Sequence, residues 1–305
     1  MVVAGLLVFS VDIALTQPTP SVPRLYAASS FWNTPIPAAA RLDPNSSAIV
    51  AAAIAPYAGK AVFANGEKWG VPAAIADSAA KAYAVTCTRY CTAPVARFRI
   101  PAGVRPATGS DHHLAVLDGN REMDLWQAQY DATHDAWSAS TVVVNEVSGT
   151  GASCAEGRQC NGAVAAGFAL LGGLVWPHEL RSGHIDHALA ITTPFTRSGY
   201  VACPATHTDG RRADPTAIPE GARIQLDPSF DVATQPWPAW KKALAVALQR
   251  YGAYVVDTGG ALAVRGVSDI NLRDNSWAAA GTPTQAGLSD LPWDRMRVLQ
   301  LRRCN

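Results

Sequence analysis

The chain has 305 residues, 49% of them apolar and 16% charged, and its 25 Lys and Arg nearly balance its 24 Asp and Glu. A formal net charge of +1 with no basic run argues against nucleic acid as the main partner. Nine Trp, 24 Gly and 21 Pro in so weakly charged a chain are typical of secreted β proteins that bind sugars.

The N-terminal segment is typical of exported proteins. Residues 2–15 form an apolar run that is too short to span a bilayer comfortably, and a linker containing Pro and Thr follows it. We therefore predict a signal peptide or a disordered leader over residues 1–24 and a secreted protein, extracellular or periplasmic, although no Lys or Arg precedes Arg24. No other segment has the composition of a membrane span, and residues 25–305 are predicted to form a single catalytic β-sandwich domain.

The cysteine content agrees with export, because the six cysteines are even in number. The most local pairing joins Cys87 to Cys91, Cys154 to Cys160 and Cys203 to Cys304. Other pairings stay open on the sequence alone. A zinc site is less favoured than disulfides, because no Cys-x-x-Cys pair occurs and the histidines lie elsewhere in the chain.

Short β-prone runs separated by turn residues dominate the first half of the chain. An alanine-rich helix is predicted over residues 47–55, and strands are predicted over 60–64, 83–87, 95–100, 113–117, 122–128 and 141–147. This density of short strands favours a mainly β fold, an antiparallel β-sandwich or jelly roll with a few helices.

Two helices interrupt the strands in the second half. Apolar residues at helical spacing predict a helix over 162–175, and a strand is predicted over 185–192. A second helix begins at Pro238 and stops at Gly252. Residues 254–257 and 261–265 are predicted to form a hairpin around Gly259 and Gly260.

A predicted hairpin over residues 111–127 carries the candidate site. Side chains alternate across a strand, so one face would pack its apolar side chains in the core, among them Leu114, Val116, Met123 and Leu125. The opposite, half-solvated face would carry Asp111, His113, Glu122, Asp124 and Trp126. Glycosidases need a pair of carboxyl groups, and a tryptophan face can stack on a pyranose, so this face suits carbohydrate chemistry.

The sequence Glu122-Met-Asp124-Leu-Trp-Gln127 resembles the E-x-D-x-x-E strand of family 16 glycoside hydrolases, a β-jelly-roll family. The resemblance implies that Glu122 is the nucleophile and that Asp124 assists it. Position 127 is Gln, which cannot supply the proton that the last Glu of that motif donates. The motifs FWNTPIP, SDHHLAVLD, GHIDHALAI and LPWDRM also resemble an uncharacterised family of secreted bacterial proteins, which supports export.

A second cluster of titratable residues could supply the missing acid. It contains His184, Asp186 and His187 at the start of the strand predicted over 185–192. If that strand lies beside the hairpin, Asp186 or His187 would meet the two carboxyl groups and act as the acid/base group. The alternative for His187 is a buried histidine bonded to a backbone or carboxylate partner.

The leading hypothesis is a glycoside hydrolase that cleaves a polysaccharide or oligosaccharide, with no nucleic acid partner and no stable membrane span, as a monomer. The predicted catalytic residues are Glu122, Asp124, His113, Asp186 and His187, and the predicted substrate-binding residues are Trp126 and Asp111. No cofactor is expected, but the His and Asp side chains are legitimate ligands of a divalent metal, so a metal-dependent enzyme is an alternative. A polysaccharide lyase and a non-catalytic carbohydrate-binding cell-surface protein are further alternatives.

Overall fold

The computed structural model describes residues 22, 24–91, 97–155, 158, 160–272 and 276–304. The strands in these ranges are β1 (Val62–Ala64), β2 (Val71–Ile75), β3 (Ala82–Tyr83), β4 (Thr86–Cys87), β5 (Phe98–Arg99), β6 (Leu114–Asp118), β7 (Arg121–Trp126), β8 (Gln129–Asp131), β9 (Ala136–Ala139), β10 (Thr141–Glu146), β11 (Leu189–Thr193), β12 (Arg223–Leu226), β13 (Ala253–Thr258), β14 (Ala263–Arg265), β15 (Val267–Ser268) and β16 (Met296–Val298). The α-helices are α1 (Ser46–Ala53), α2 (Pro177–Ser182), α3 (Ala239–Arg250) and α4 (Ser276–Ala279). Short 3-10 helices span Ala55–Lys60, Asp269–Asn271 and Trp293–Arg295.

Most strands belong to two large sheets that share a core. The larger sheet has six strands in the order β1-β14-β11-β13-β12-β16, and the second has five in the order β10-β7-β6-β2-β15. Two small sheets, β3-β5 and β4-β9-β8, accompany them. The predicted mainly β, sandwich-like fold with a few helices is therefore confirmed.

Both large sheets are mixed rather than antiparallel throughout. The segment β1–β2 runs parallel to the segment β14–β15 through both sheets. Strand β1 pairs in parallel with β14 in one sheet, and β2 pairs in parallel with β15 in the other. The pairs β11–β13 and β2–β6 are parallel as well. The alternation of side chains does not specify strand direction, which explains why the sequence pattern alone favoured antiparallel sheets.

Alternating side chains of the two sheets build stacked layers. In β13, Val255 packs in an outer core beneath helices α1 and α3, whereas Val256 packs in the layer that the two sheets share. In β6, Leu117 lies in the shared layer, whereas Val116 lies in a third core together with the small sheets. The centre of the five-stranded sheet is therefore buried on both faces.

The helix predicted between Pro238 and Gly252 is confirmed. It begins directly after Pro238, whose fixed φ suits the start of a helix, and Gly252 follows its end with a φ of 69°. Trp240, Leu244 and Leu248 are buried in the outer core. Helix α3 therefore covers one face of the six-stranded sheet with a single apolar stripe.

The helix predicted over residues 162–175 is not formed. The segment is irregular chain in the layer between the sheets, and Gly167 and Gly173 have φ values of 71° and 68°, which an α-helix does not allow. The amides of Leu170 and Leu171 donate to side-chain carboxyl groups instead of to helical carbonyls. The apolar spacing arises because this segment is buried on several sides, not because one helical face packs on a sheet.

Three strand predictions are wrong in detail. The run 83–87 is divided between β3 and β4, which belong to different sheets. Strand β11 begins at Leu189 rather than at residue 185, because the amide of Ala188 donates to the carbonyl of Trp32 at 2.7 Å, outside the sheet. The hairpin expected around Gly259 and Gly260 is absent, because β11 lies between β13 and β14 and pairs with both.

Three disulfides form, and they follow the most local pairing. They join Cys87 to Cys91, Cys154 to Cys160 and Cys203 to Cys304. Disulfides persist in oxidising compartments, which agrees with the predicted export. Among the residues that the structure describes, no helix is long and apolar enough to cross a bilayer.

The close approach of Gly173 to Trp32 predicts a specific loss of stability. A Cβ at Gly173 would collide with the indole of Trp32 and lie 2.7 Å from the backbone nitrogen of Ala190. Because the φ of 68° also disfavours a side chain, G173A should lower the free energy of unfolding by about 2–5 kcal/mol in urea. The control is G183A, whose φ is 82° but whose Cβ would meet no atom within 4 Å. Equal losses in the two variants would contradict the packing explanation.

Candidate functional site

The hairpin of β6 and β7 has the two faces that the sequence predicts. Ala115 pairs with Asp124 and Leu117 pairs with Glu122, so both carboxyl groups share a face with the apolar residues of the inter-sheet layer. This face is not half-solvated as expected, since the exposed fraction of both Glu122 and Asp124 is 0%. The difference arises because protein layers cover the five-stranded sheet on both sides.

Hydrogen bonds hold both carboxyl groups of this pair. The backbone amides of residues 170–171 donate to Oδ2 of Asp124 and Oε1 of Glu122, in that order, each at 2.9 Å. The hydroxyl of Tyr26 donates to Oε2 of Glu122 at 2.8 Å, and the side-chain amide of Asn145 donates to Oδ2 of Asp124 at 2.7 Å. A further hydrogen bond joins the two carboxyl groups to each other.

The buried carboxyl pair shares a proton. Burial and the charge of Glu122 raise the pKa of Asp124 well above its usual range, which favours Asp124 as the member of the pair that carries the proton and donates to Glu122. Oδ1 of Asp124 accepts no hydrogen bond from any described N–H or O–H group. The pair ties Tyr26 and the loop at 170–171 to the sheet, and neither carboxyl group lines the cavities in which the other predicted residues lie.

Asp186 and His187 line a cavity of about 290 Å³ together with Tyr26 and Glu179. Nε2 of His187 lies 2.9 Å from Oε1 of Glu179, and Nδ1 lies 2.8 Å from a backbone carbonyl oxygen. Burial opposes charge on this ring, but the carboxylate of Glu179 and the two hydrogen bonds raise the pKa of His187 above its ordinary value. This is a half-buried histidine with a carboxylate partner, and Tyr26 connects its cavity to Glu122.

Asp111 and His113 line a separate and larger cavity of about 520 Å³. Asp257, near the end of β13, and Arg265, the last residue of β14, line the same cavity. Trp69, with 45% of its surface exposed, lies at the edge. The structure therefore separates Asp186 and His187 from Asp111 and His113, and it places the latter two beside charged groups from another part of the chain.

His113 is neutral and holds a buried cation in place. Its Nε2 lies 2.9 Å from the carbonyl oxygen of Ala163, and its Nδ1 lies 3.5 Å from Nη2 of Arg265. Burial and the neighbouring guanidinium lower the pKa of His113 to about 4. At neutral pH, Nε2 therefore carries the single proton and donates to Ala163, while Nδ1 accepts from Arg265. Both ring nitrogens are engaged, and the ring orients Arg265.

The pKa of Asp257 lies near neutral pH. Burial raises the pKa of Asp257 to about 7; the charge of Arg265 opposes the rise, and the charges of Asp209 and Asp111 add to it. A carboxyl group with such a pKa is divided between its protonated and ionised forms near neutral pH, which is the condition that proton transfer in catalysis favours.

Three carboxyl groups meet beside the larger cavity. Oxygen atoms of Asp209, Glu220 and Asp257 lie within 4.8 Å of one another. Burial and a hydrogen bond with Asp209 raise the pKa of Glu220 to about 10, so Glu220 is protonated at neutral pH. In the described ranges this is the group whose atoms could bind a divalent cation, and the cation would have to displace the proton of Glu220. The residues that the sequence suggests as metal ligands form no such group there.

His112 and Gln127 have left-handed backbone at the end of the hairpin that borders the larger cavity, with φ values of 40° and 56°. This conformation costs about 1–3 kcal/mol for a residue other than Gly, and it is concentrated at functional sites. The amide of Gln127 donates to the carbonyl of Asp111 at 2.7 Å, and Oε1 of Gln127 accepts from Oγ of Ser140 at 2.6 Å. Strand β7 ends at Trp126, so Gln127 lies outside the strand that carries Glu122.

The charged residues that complete the larger cavity are not identified from the sequence. Asp257 and Arg265 carry weak signals, because Asp257 follows an apolar run directly before Thr-Gly-Gly, and Arg265 is a charged residue at the end of an apolar strand. No local signal distinguishes Trp69 from the other eight of the nine tryptophans.

Comparisons with protein-family models, curated proteins and solved structures found no match to the chain. A function therefore has to be argued from the residues of the two cavities. The larger cavity combines carboxyl groups, a buried cation and an exposed indole, and it is the stronger candidate.

The shared proton of the carboxyl pair predicts an unusual dependence of stability on pH. An unfolded aspartate loses its proton above about pH 4, whereas the raised pKa of folded Asp124 holds the proton to higher pH, so the contribution of Asp124 to stability falls as pH rises from about 4. Asn donates to Glu122 as the protonated acid does but does not titrate. D124N should match the wild type near about pH 4 and exceed it at about pH 8 in urea unfolding.

Asp118 in the same hairpin provides a control of opposite sign. Burial opposes its charge, but hydrogen bonds from Arg99 hold the pKa of Asp118 below its usual range. Its stabilisation is therefore present above about pH 4 and lost as the pH falls through the folded pKa. D118N should cost stability at neutral pH and little at acid pH. The same pH trend in D118N and D124N would contradict the assignment of the shared proton.

Proposed function

We propose that this chain is a secreted carbohydrate-active enzyme, a glycoside hydrolase that cleaves a polysaccharide in the larger cavity. The observation that supports the proposal is the presence of two carboxyl groups, those of Asp111 and Asp257, on the wall of a cavity of about 520 Å³ whose edge carries the exposed Trp69. A concave site with a few converging polar groups is where small ligands and substrate units bind.

Asp257 is proposed as the general acid. Hydrolysis of a glycosidic bond needs one carboxylic acid that protonates the leaving oxygen, and a second carboxyl group that activates water or attacks the sugar. With a pKa of about 7, Asp257 keeps its proton in much of the population near neutral pH. Asp111 is half-buried on the same wall and is proposed as the second carboxyl group.

Arg265 and His113 are proposed to position the acid and to stabilise its ionised form. Arg265 is only 6% exposed, and its charge lowers the pKa of Asp257 from the higher value that burial would otherwise give. When Asp257 has given up its proton, the buried cation stabilises the carboxylate that remains. His113 keeps Arg265 in this place through Nδ1.

The edge of the cavity is proposed to bind the sugar rings. Trp69 presents an indole face for stacking, and the ammonium group of Lys68 lies 5.2 Å from the centre of that ring. Ser110 and Thr192 line the cavity and carry hydroxyl groups that can exchange hydrogen bonds with sugar hydroxyls.

The proposal changes the roles of the residues that the sequence pattern favours. Glu122 and Asp124 are fully buried and bonded to each other and to the backbone, so we assign them to the support of the fold. Asp186 and His187 belong to the smaller cavity. Trp126 keeps a role in binding, because its Nε1 donates to Oδ1 of Asp111 at 3.4 Å.

Carboxylate variants test the proposal directly. The purified protein should release reducing sugar from at least one of xylan, mixed-linkage β-glucan, arabinan and pectin. D257N and D111N should each lower the rate by about 100-fold or more, because each removes a group that transfers a proton or attacks the sugar. E122Q should keep a rate near that of the wild type, as should D214N, which changes an exposed aspartate outside the cavity. Full activity in D257N would contradict the proposal.

The same assays distinguish the alternative functions. A lyase would release unsaturated sugars that absorb ultraviolet light. A metal-dependent enzyme would contain stoichiometric metal as purified and lose its activity with a chelator. A binding module would retain polysaccharides in affinity gels without any turnover.

The pH dependence of activity tests the assignment of the acid. Because Asp257 must be protonated to act, kcat/KM should fall as the pH rises through about 7. R265M removes the positive charge that lowers the pKa of Asp257, so the falling limb should move to higher pH. K68M is the control, since Lys68 lines the same cavity but is not among the charges that shift Asp257. A limb that stays in place in R265M would contradict the assignment.

A further inference from the structure

We propose that Tyr90 and Trp126 form a second sugar-binding subsite outside the larger cavity, so that the substrate is a polymer chain that extends from the cavity to Tyr90. This inference rests on the proposed function, because it assigns a binding site to the outer part of the substrate polymer whose cleavage point lies in the cavity. It makes Tyr90 a residue that determines the length of the preferred substrate.

The larger cavity and Trp126 meet at Asp111. Asp111 lines the cavity, and Nε1 of Trp126 donates to its Oδ1 at 3.4 Å. Trp126 is half-buried, with one side packed against the core that the two large sheets share. The surface that begins at the proposed second carboxyl group therefore continues directly onto an indole.

The ring of Trp126 contacts the ring of Tyr90. Their ring centres are 6.0 Å apart and the ring planes are inclined by 41°. Tyr90 is 45% exposed, and the guanidinium of Arg89 lies 5.6 Å from its ring centre. Two inclined aromatic rings with a charged donor beside them present both apolar area and hydrogen-bond donors, and successive sugar units of a chain need both.

The loop that carries Tyr90 is fixed before any ligand binds. The disulfide between Cys87 and Cys91 closes a short loop around Tyr90. The amide of Tyr90 donates to the carbonyl of Ser140 at 2.9 Å, and the amide of Ser140 donates to the carbonyl of Trp126 at 3.0 Å. A ring that is already held in place loses little conformational entropy on binding, which favours its use as an anchor.

The strained backbone next to Trp126 gives independent support. The left-handed residues His112 and Gln127 follow Asp111 and Trp126 in the chain, on the two arms of the same hairpin. The bond from the amide of Gln127 to the carbonyl of Asp111 joins these two points at 2.7 Å. The cost of the strained residues is therefore concentrated where the proposed subsite meets the cavity.

A chain of sugars is favoured over other occupants because the surface is continuous with the cavity. A polymer that occupies the cavity must leave it, and the rings of Trp126 and Tyr90 continue from Asp111, which lines the cavity. A second copy of the protein bound through Tyr90 is a different outcome, which the oligomeric state would reveal.

The experiment compares Y90A with Y130A in the D257N background and in the active protein. Tyr130 is a matched control, because it is 46% exposed and contacts Trp137 with ring centres 5.1 Å apart, but it does not line the larger cavity. Binding is measured by native affinity electrophoresis in gels that contain xylan, mixed-linkage β-glucan, arabinan or pectin. Turnover is measured on the retained polymer and on its trisaccharide.

We expect Y90A to weaken binding of the polymer by about tenfold, the usual cost of removing an aromatic anchor, and Y130A to leave it unchanged. In the active protein Y90A should raise KM for the polymer and leave kcat/KM for the trisaccharide unchanged. Equal behaviour of Y90A and Y130A would overturn the subsite even if the enzyme is active. Weaker binding in Y90A without any turnover in the parent would support the subsite and reject the hydrolase. The inference would be overturned if no gel retained the parent protein. It would also be overturned if the parent protein formed dimers that the Y90A substitution dissociates.

Discussion

The candidate site depends on the interaction of the buried guanidinium of Arg265 with the charged groups around it. This guanidinium lies where the chain leaves the six-stranded sheet at β14 and enters the five-stranded sheet at β15, and it faces groups from both. A charge in this place has to be paired, and the carboxyl groups of Asp257 and Asp111 supply the opposite sign. The same burial that makes Arg265 need partners raises the pKa of Asp257 to about 7 and lowers the pKa of His113 to about 4. One constraint thus accounts for a proton donor, a neutral histidine and a cation in one cavity.

The protein contains two kinds of buried acid, and their hydrogen bonds distinguish them. Glu122 and Asp124 have backbone amides, a tyrosine hydroxyl and each other as partners, and they replace the helical bonds that the loop at 170–171 lacks. Asp257 lies on the wall of a cavity and has charged neighbours whose effects on its pKa oppose each other. The first kind fixes a loop between two sheets, and the second kind is suited to exchange a proton with a substrate.

Local rules predict much of the fold and little of the site. Helix α3 and the two faces of the hairpin follow from spacing and alternation, which the sequence displays directly, and the disulfides match the most local of the pairings that the sequence leaves open. Whether a face of the hairpin meets solvent depends on which other parts of the chain cover that face. The residues of the hairpin alone do not determine this covering. The neighbours of Asp111 in space, Asp257 and Arg265, lie far away in sequence, and the sheet order that brings them together places β11 where a local hairpin was expected.

A crystal structure of the D257N variant with an oligosaccharide taken from the polymer that the wild type cleaves would test the central claim most directly. A sugar unit should lie in the larger cavity, with its glycosidic oxygen within hydrogen-bond distance of residue 257 and Asp111 on the other side of the bond. Further units should lie against Trp69 or along Trp126 and Tyr90. A sugar bound instead in the smaller cavity beside Asp186 and His187, with the larger cavity free of it, would contradict the account.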